Sequence, residues 1–189
     1  MFRIILIFSL LPILVAMLAC RWFGRRVLSS TGSRQCSCDL TRWQPDMIGQ
    51  LSSIRRSRGS AAEFGRAMRD AALHEWNEED PKAARARDKS RRIGAVVPAL
   101  AAICAVFAWF VGKIPIVGVL AIFLAATALA SAMSLLSLPA ELQAIQRFAR
   151  KVHRQKLFPD PDDEAASIAC AAAEAWNQTL PHWLRWLEK

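Results

Sequence analysis

His74-Glu75-Trp76-Asn77-Glu78 carries residue types and a spacing that suit a metal-activated water. A zinc hydrolase needs two ligands on one helix face, which residues four apart provide, a third ligand from elsewhere, and a general base beside the metal-bound water. On a helix, His74 and Glu78 stand one turn apart, Glu75 lies beside the first ligand as the base would, and Glu78 stands where a second histidine would be found. A further carboxylate, Glu141, follows a run of 48 residues (93 to 140) whose only charge is Lys113. Threading that run through a bilayer as a hairpin returns Glu141 to the face on which His74 and Glu75 lie, which hints at a metal site. A surface helix with one histidine and several acids is the alternative source of the same dipeptide.

The elements that must position these groups are helices. Ser60-Ala61-Ala62-Glu63 is a capping box, a hydroxyl for an early backbone N–H and a carboxylate three residues on that reaches back. The helix it starts should carry Phe64, Met68, Ala71 and Glu75 on one stripe and stop before Pro81. Glu75 thus falls where an apolar residue is expected, and a misplaced carboxylate calls for an explanation. Lys82 to Arg92 is a basic segment whose side chains can snorkel at the entry to the hairpin. Residues 93–111 and 115–137 are each long enough to cross a hydrocarbon core of about 30 Å. Pro98 and Pro115 can kink the hairpin, and Ala126, Ala128, Ala130, Ser131, Ala132 and Ser134 offer small residues for close helix contact. After Leu138-Pro139-Ala140-Glu141 a helix should run through Leu142, Ile145, Phe148, Ala149 and Val152. Pro159-Asp160-Pro161-Asp162 then breaks it and starts a last helix through Ile168, Trp176, Leu180, Trp183 and Leu187.

Composition agrees with a membrane protein: 53% of the 189 residues are hydrophobic and the mean hydropathy is +0.20. The excess sits in Ile4 to Cys20, Ile93 to Gly112 and Ile114 to Ala140. The first of these reads as a retained anchor, because it is long for the apolar core of a signal peptide; a cleaved leader ending at Met17-Leu18-Ala19-Cys20 is the alternative. Residues 21–34 form a basic juxtamembrane stretch that can lean on anionic lipid, and Trp43, Met47, Leu51 and Ile54 give a weak helical spacing after it. Segment 21–92 holds 16 of the 25 Lys and Arg against 9 of the 16 Asp and Glu, an excess of seven. By the positive-inside rule this loop and the tail 141–189 are cytoplasmic in a multi-pass protein of the cell membrane, with Lys113 outside. The formal charge of +9 therefore reads as topology. Arginines scattered among acids, with no recognition motif, argue against nucleic acid. Five cysteines, one of them (Cys104) inside a span, do not form a disulfide framework, and no zinc-finger spacing follows Cys36 and Cys38.

The order of features resembles the bacterial membrane-anchored neutral zinc metallopeptidase family. It shares an amino-terminal span, a helix with His74-Glu75, a hydrophobic hairpin, Leu138-Pro139-Ala140-Glu141 followed by Ala144 and Arg147, and Asp162-Asp163-Glu164 leading into Ala171-Ala172-Ala173. The resemblance covers roughly residues 60–189. It implies zinc as cofactor, His74 as ligand, Glu75 as catalytic base and Glu141 as third ligand. The chain departs from the family in Glu78, which replaces the second histidine, and in Ile145, where a small serine is usual. A carboxylate binds zinc at about 2.0–2.2 Å, so His74, Glu78 and Glu141 would make a one-His, two-carboxylate site with a weaker Lewis acid.

The expected fold is an all-α membrane protein. An N-terminal anchor (1–20), a basic linker with short helices (21–59) and a cytoplasmic helix with its basic segment (60–92) precede a transmembrane hairpin (93–138) and C-terminal amphipathic helices (139–189). The expected activity is peptide-bond hydrolysis at the cytoplasmic membrane face, retained or lost in a diverged relative. The competing expectation is a membrane interaction protein that docks through Glu75, Glu78, Glu79 and Asp80 and through the basic segment Lys82 to Arg92. His153, on a basic face, and His182, among tryptophans, are poor ligand candidates.

Overall fold

A computed structural model describes residues 2–39 and 57–180, and the fold is all-α with three helices long and apolar enough to cross a membrane. Helix α1 spans Phe2–Ala19; a π-helical turn, Cys20–Arg25, and α2, Arg26–Thr31, continue it. Strands β1 (Gln35–Ser37) and β2 (Arg58–Ser60) form one antiparallel pair, with Cys36 opposite Gly59. Then come α3 (Ala61–Glu79), α4 (Pro81–Phe110), α5 (Ile116–Gln155) and α6 (Pro161–Asn177). The expected helical spacing at Trp43, Met47, Leu51 and Ile54 falls outside the described residues, as do Trp183 and Leu187; α6 itself ends at Asn177, short of Leu180, through which the sequence predicts it to run.

The chain divides into two compact units. Met1–Ala19, Ala86–Ser137 and Gln178–Lys189 form the first, which holds the apolar helical segments. Within it the two arms of the hairpin meet through small residues: a Cβ on Gly94 would sit 3.7 Å from the Ala130 side chain. Large apolar side chains such as Phe107, Phe110 and Leu129 point outward, as a lipid-facing surface requires. The turn between the arms closes at Gly112, whose φ of +72° is left-handed backbone that glycine adopts without strain.

Both arms run further than the apolar composition alone implies. The basic segment 82–92 is the start of the same helix as the span that follows, and Pro139 lies inside α5. Proline there removes one backbone donor, yet Leu138 and Ala144 on either side are buried, so packing holds the helix through it.

Cys20–Arg85 and Leu138–Asn177 form the second unit. Its core joins Phe64, Met68, Phe148, Val152, Leu157 and Phe158, with Phe64 and Phe158 edge to face at 5.7 Å. Residues 20–31 are helical and packed, contrary to the loose linker the basic composition suggests. Gly24 brings this segment against the α6 backbone, 3.3 Å from the Ala173 carbonyl for an added Cβ, and Phe23 stacks on Trp176 at 5.1 Å. The two three-residue strands are also absent from the sequence reading, since a ladder that short leaves no alternating pattern.

Candidate functional site

The capping box forms as the sequence predicts. Glu63 N donates to Ser60 Oγ at 3.3 Å, and Ser60 N donates to Glu63 Oε2 at 3.1 Å. The helix it starts, α3, carries His74, Glu75 and Glu78 in its last turns. His74 Nδ1 lies 3.3 Å from Glu78 Oε1, and both side chains are more than half exposed. The structure therefore brings these two together, as a spacing of four demands.

Glu75 is turned to another use. Its Oε1 is ion-paired with Lys151 of α5 and its side chain is largely covered. The ion pair explains how a carboxylate is accommodated on the apolar stripe of α3. One turn on, Arg147 donates to Glu79 Oε2 at 3.0 Å, and Asp80 Oδ1 accepts the Ala83 N–H at 3.1 Å at the start of α4. The acids at the end of α3 are in large part engaged within the molecule.

Glu141 lies elsewhere. It is 1% exposed, and Arg69 of α3, itself 3% exposed, donates to its Oε1 from Nε at 2.7 Å and from Nη2 at 2.6 Å. Taking two charges out of water is costly, and close paired donors are what offset it. Arg69 is the residue the sequence reading missed. Its signal was a guanidinium on the helix face that also carries Gly65, Met68 and Ala72, all small or apolar and buried.

A zinc site tests poorly against these residues. The expected convergence of His74, Glu78 and Glu141 does not occur: among the described residues no three His, Cys, Asp or Glu side chains are grouped as a metal site needs. The third ligand that the family resemblance implies is the buried partner of an arginine, whose positive charge repels a divalent cation. His153 Nδ1 lies 3.0 Å from Glu164 Oε1 at the start of α6, within hydrogen-bond distance of a single carboxylate and not part of a ligand set; His182 lies outside the described residues.

A second polar cluster fixes β1 against the start of α6. Asp163 accepts from Arg34 Nε at 3.0 Å and from the Ser37 N–H at 3.1 Å, and Pro161 with Asp162, Asp163 and Glu164 opens the helix as the sequence predicts. Beneath it lie Cys36 and Cys170, both buried. Burial pushes both thiol pKa values up; Asp163 adds to the shift at Cys36, and Cys36 adds to it at Cys170. Thiols so protonated are poor nucleophiles and poor ligands.

No protein-family model, curated protein or solved structure matches the chain.

Proposed function

We propose that this chain is a non-catalytic membrane interaction protein: a helical unit tethered by membrane helices, with the general layout of a membrane-anchored zinc peptidase. The observation that carries the reading is the buried Arg69–Glu141 pair. A third zinc ligand would have to be pulled away from its arginine, and breaking a buried pair costs about 3–5 kcal/mol. Engagement of Glu75 by Lys151 supports the same conclusion, because a general base needs its carboxylate beside a metal-bound water. Of the two docking features expected from the sequence, the acids are mostly paired internally, and the basic segment Lys82 to Arg92 is the surface that remains for a partner. The bias of basic residues toward segment 21–92 favours a cell-membrane protein with that segment and the tail on the cytoplasmic side.

Metal analysis and a peptidase assay on detergent-purified protein test the proposal, with wild type beside Glu78→His and Glu75→Gln. Both wild type and Glu78→His should purify without stoichiometric zinc and without activity. Zinc in Glu78→His, with activity that Glu75→Gln abolishes, would instead establish the metallopeptidase reading. That second reading has one observation of its own: the exposed His74–Glu78 pair already stands at the spacing of two helix ligands.

A further inference from the structure

Lys82, Arg85, Lys89 and Arg92 are spaced 3, 4 and 3 along α4 and all are exposed. Val96, Leu100, Ile103, Phe107 and Phe110 continue the row at intervals of 4, 4, 3, 4 and 3, and each is likewise exposed. With 3.6 residues per turn, all nine positions stay within a sector of about 80°. Ala84, Gly94, Pro98 and Ala105, on the opposite side of the helix, are buried. One face of one helix therefore carries four cations and then five lipid-facing apolar side chains without interruption.

The four cations differ from their neighbours. Arg87 donates to Asp88 at 3.1 Å and Arg91 to Gln178 at 2.9 Å, both on another face of the helix. Lys82, Arg85, Lys89 and Arg92 have no hydrogen bond or ion pair among the described residues. Like charges three and four residues apart destabilise a helix, so a row of four is maintained at a cost unless something outside the chain neutralises it.

Distance along the helix identifies the counter-charge. Ile93–Phe110 is 18 residues of α4, about 27 Å at a rise of about 1.5 Å, close to the hydrocarbon thickness of about 30 Å. Arg92 then stands at the hydrocarbon boundary and Lys89 about 4.5 Å outside it, within a headgroup layer of about 5–8 Å per leaflet. Arg85 and Lys82 lie about 10 and 15 Å out, where attraction to a charged surface fades over a Debye length of about 8 Å.

We propose that this face of α4 is a binding site for an anionic phospholipid. An acyl chain lies along the row from Val96 to Phe110, Arg92 and Lys89 hold the phosphate, and Arg85 and Lys82 add weaker attraction from outside the headgroup layer. The assignment deepens the interaction reading by naming the occupant of its basic face. It is measured without reference to zinc or proteolysis, so failure of one leaves the other standing.

The test uses the full chain in vesicles of phosphatidylcholine containing spin-labelled phosphatidylglycerol or spin-labelled phosphatidylcholine, and reads the relative association of the two labelled lipids with the protein. Wild type should select phosphatidylglycerol. Arg92→Gln and Lys89→Gln should each weaken that selection by up to roughly fivefold, Arg85→Gln less, and Lys82→Gln least, while Arg87→Gln leaves it unchanged. Helix content by circular dichroism should stay the same in the four variants of the row, since each of those sites is at the surface, and it is checked in Arg87→Gln, whose side chain is largely covered. Absence of selectivity in folded wild type overturns the proposal. So does an equal loss at all five positions, which would mark a diffuse charge effect. A loss dominated by Lys82 and Arg85 would also overturn it, and point to a soluble acidic partner.

Discussion

Arg69 and Glu141 form a buried ion pair, with two guanidinium nitrogens within 2.7 Å of one carboxylate oxygen and both residues almost fully removed from solvent. Residues 72 apart in sequence are tied at the point where α5 leaves its apolar stretch. Arg69→Met should destabilise the second unit by about 3–5 kcal/mol, because it removes the guanidinium that neutralises a buried carboxylate. Arg69→Met combined with Glu141→Leu should recover most of that loss, since an apolar pair of similar volume has no desolvation penalty. Denaturant titration in detergent measures both. Equal stability of the single and double variants would show that Glu141 reaches another partner or water when Arg69 is removed.

Gly65 places α3 against α6 almost backbone to backbone. A Cβ there would meet Cys170 Cβ at 2.6 Å and the Ala171 nitrogen at 2.8 Å. Neither neighbour is the end of a flexible side chain, so the helices must separate. Gly65→Ala, which improves helix propensity on an isolated helix by about 1 kcal/mol, should here lower stability by about 1–3 kcal/mol through overpacking. The opposite sign at this position would mean that the two helices pack less closely than the distances state.

The fold was legible where a local rule decided it. Ser60 and Glu63 start a helix through their own hydrogen bonds, Pro161 and its acids start another, and the apolar runs on either side of Lys113 can only be long helices. What the sequence hid depends on partners distant along the chain. Residues 21–31 look like a loose basic linker because nothing local shows that Cys20, Gly24 and Phe23 meet α6. The candidate site failed to assemble for the same reason. A spacing of four correctly set His74 beside Glu78, whereas whether Glu141 faced a metal or an arginine was decided by Arg69, a residue with no motif around it.

Ser60→Ala tests the cap directly. Its hydroxyl accepts one of the first N–H groups of α3 that lack an intrahelical partner, and its own N–H is held by Glu63. Loss of the hydroxyl should cost about 1 kcal/mol, and Glu63→Ala a smaller amount, since it removes the reciprocal bond and leaves the cap. Thermal melts of the two single variants and their double give the coupling. Strict additivity would count against a reciprocal box.

Cys36 and Cys170 make stability fall at high pH. Burial, helped by Asp163 at Cys36 and by Cys36 at Cys170, raises their thiol pKa values above the ordinary 9.0. Below pH about 9 the thiols are protonated in folded and unfolded chains alike and contribute no slope. Above it the unfolded chain releases protons that the folded one retains, so unfolding is favoured until the folded pKa is passed. Other groups titrate in this range, lysines among them, so the informative quantity is the difference between wild type and Cys36→Ala/Cys170→Ala. Denaturation midpoints measured from pH about 8 to pH about 10.5 should drop more steeply for wild type than for the double variant. A thiol-reactive maleimide at neutral pH should leave both cysteines unmodified until denaturant is added. Parallel pH profiles for the two proteins, or modification of either thiol in the folded chain, would show that the pair is open to water.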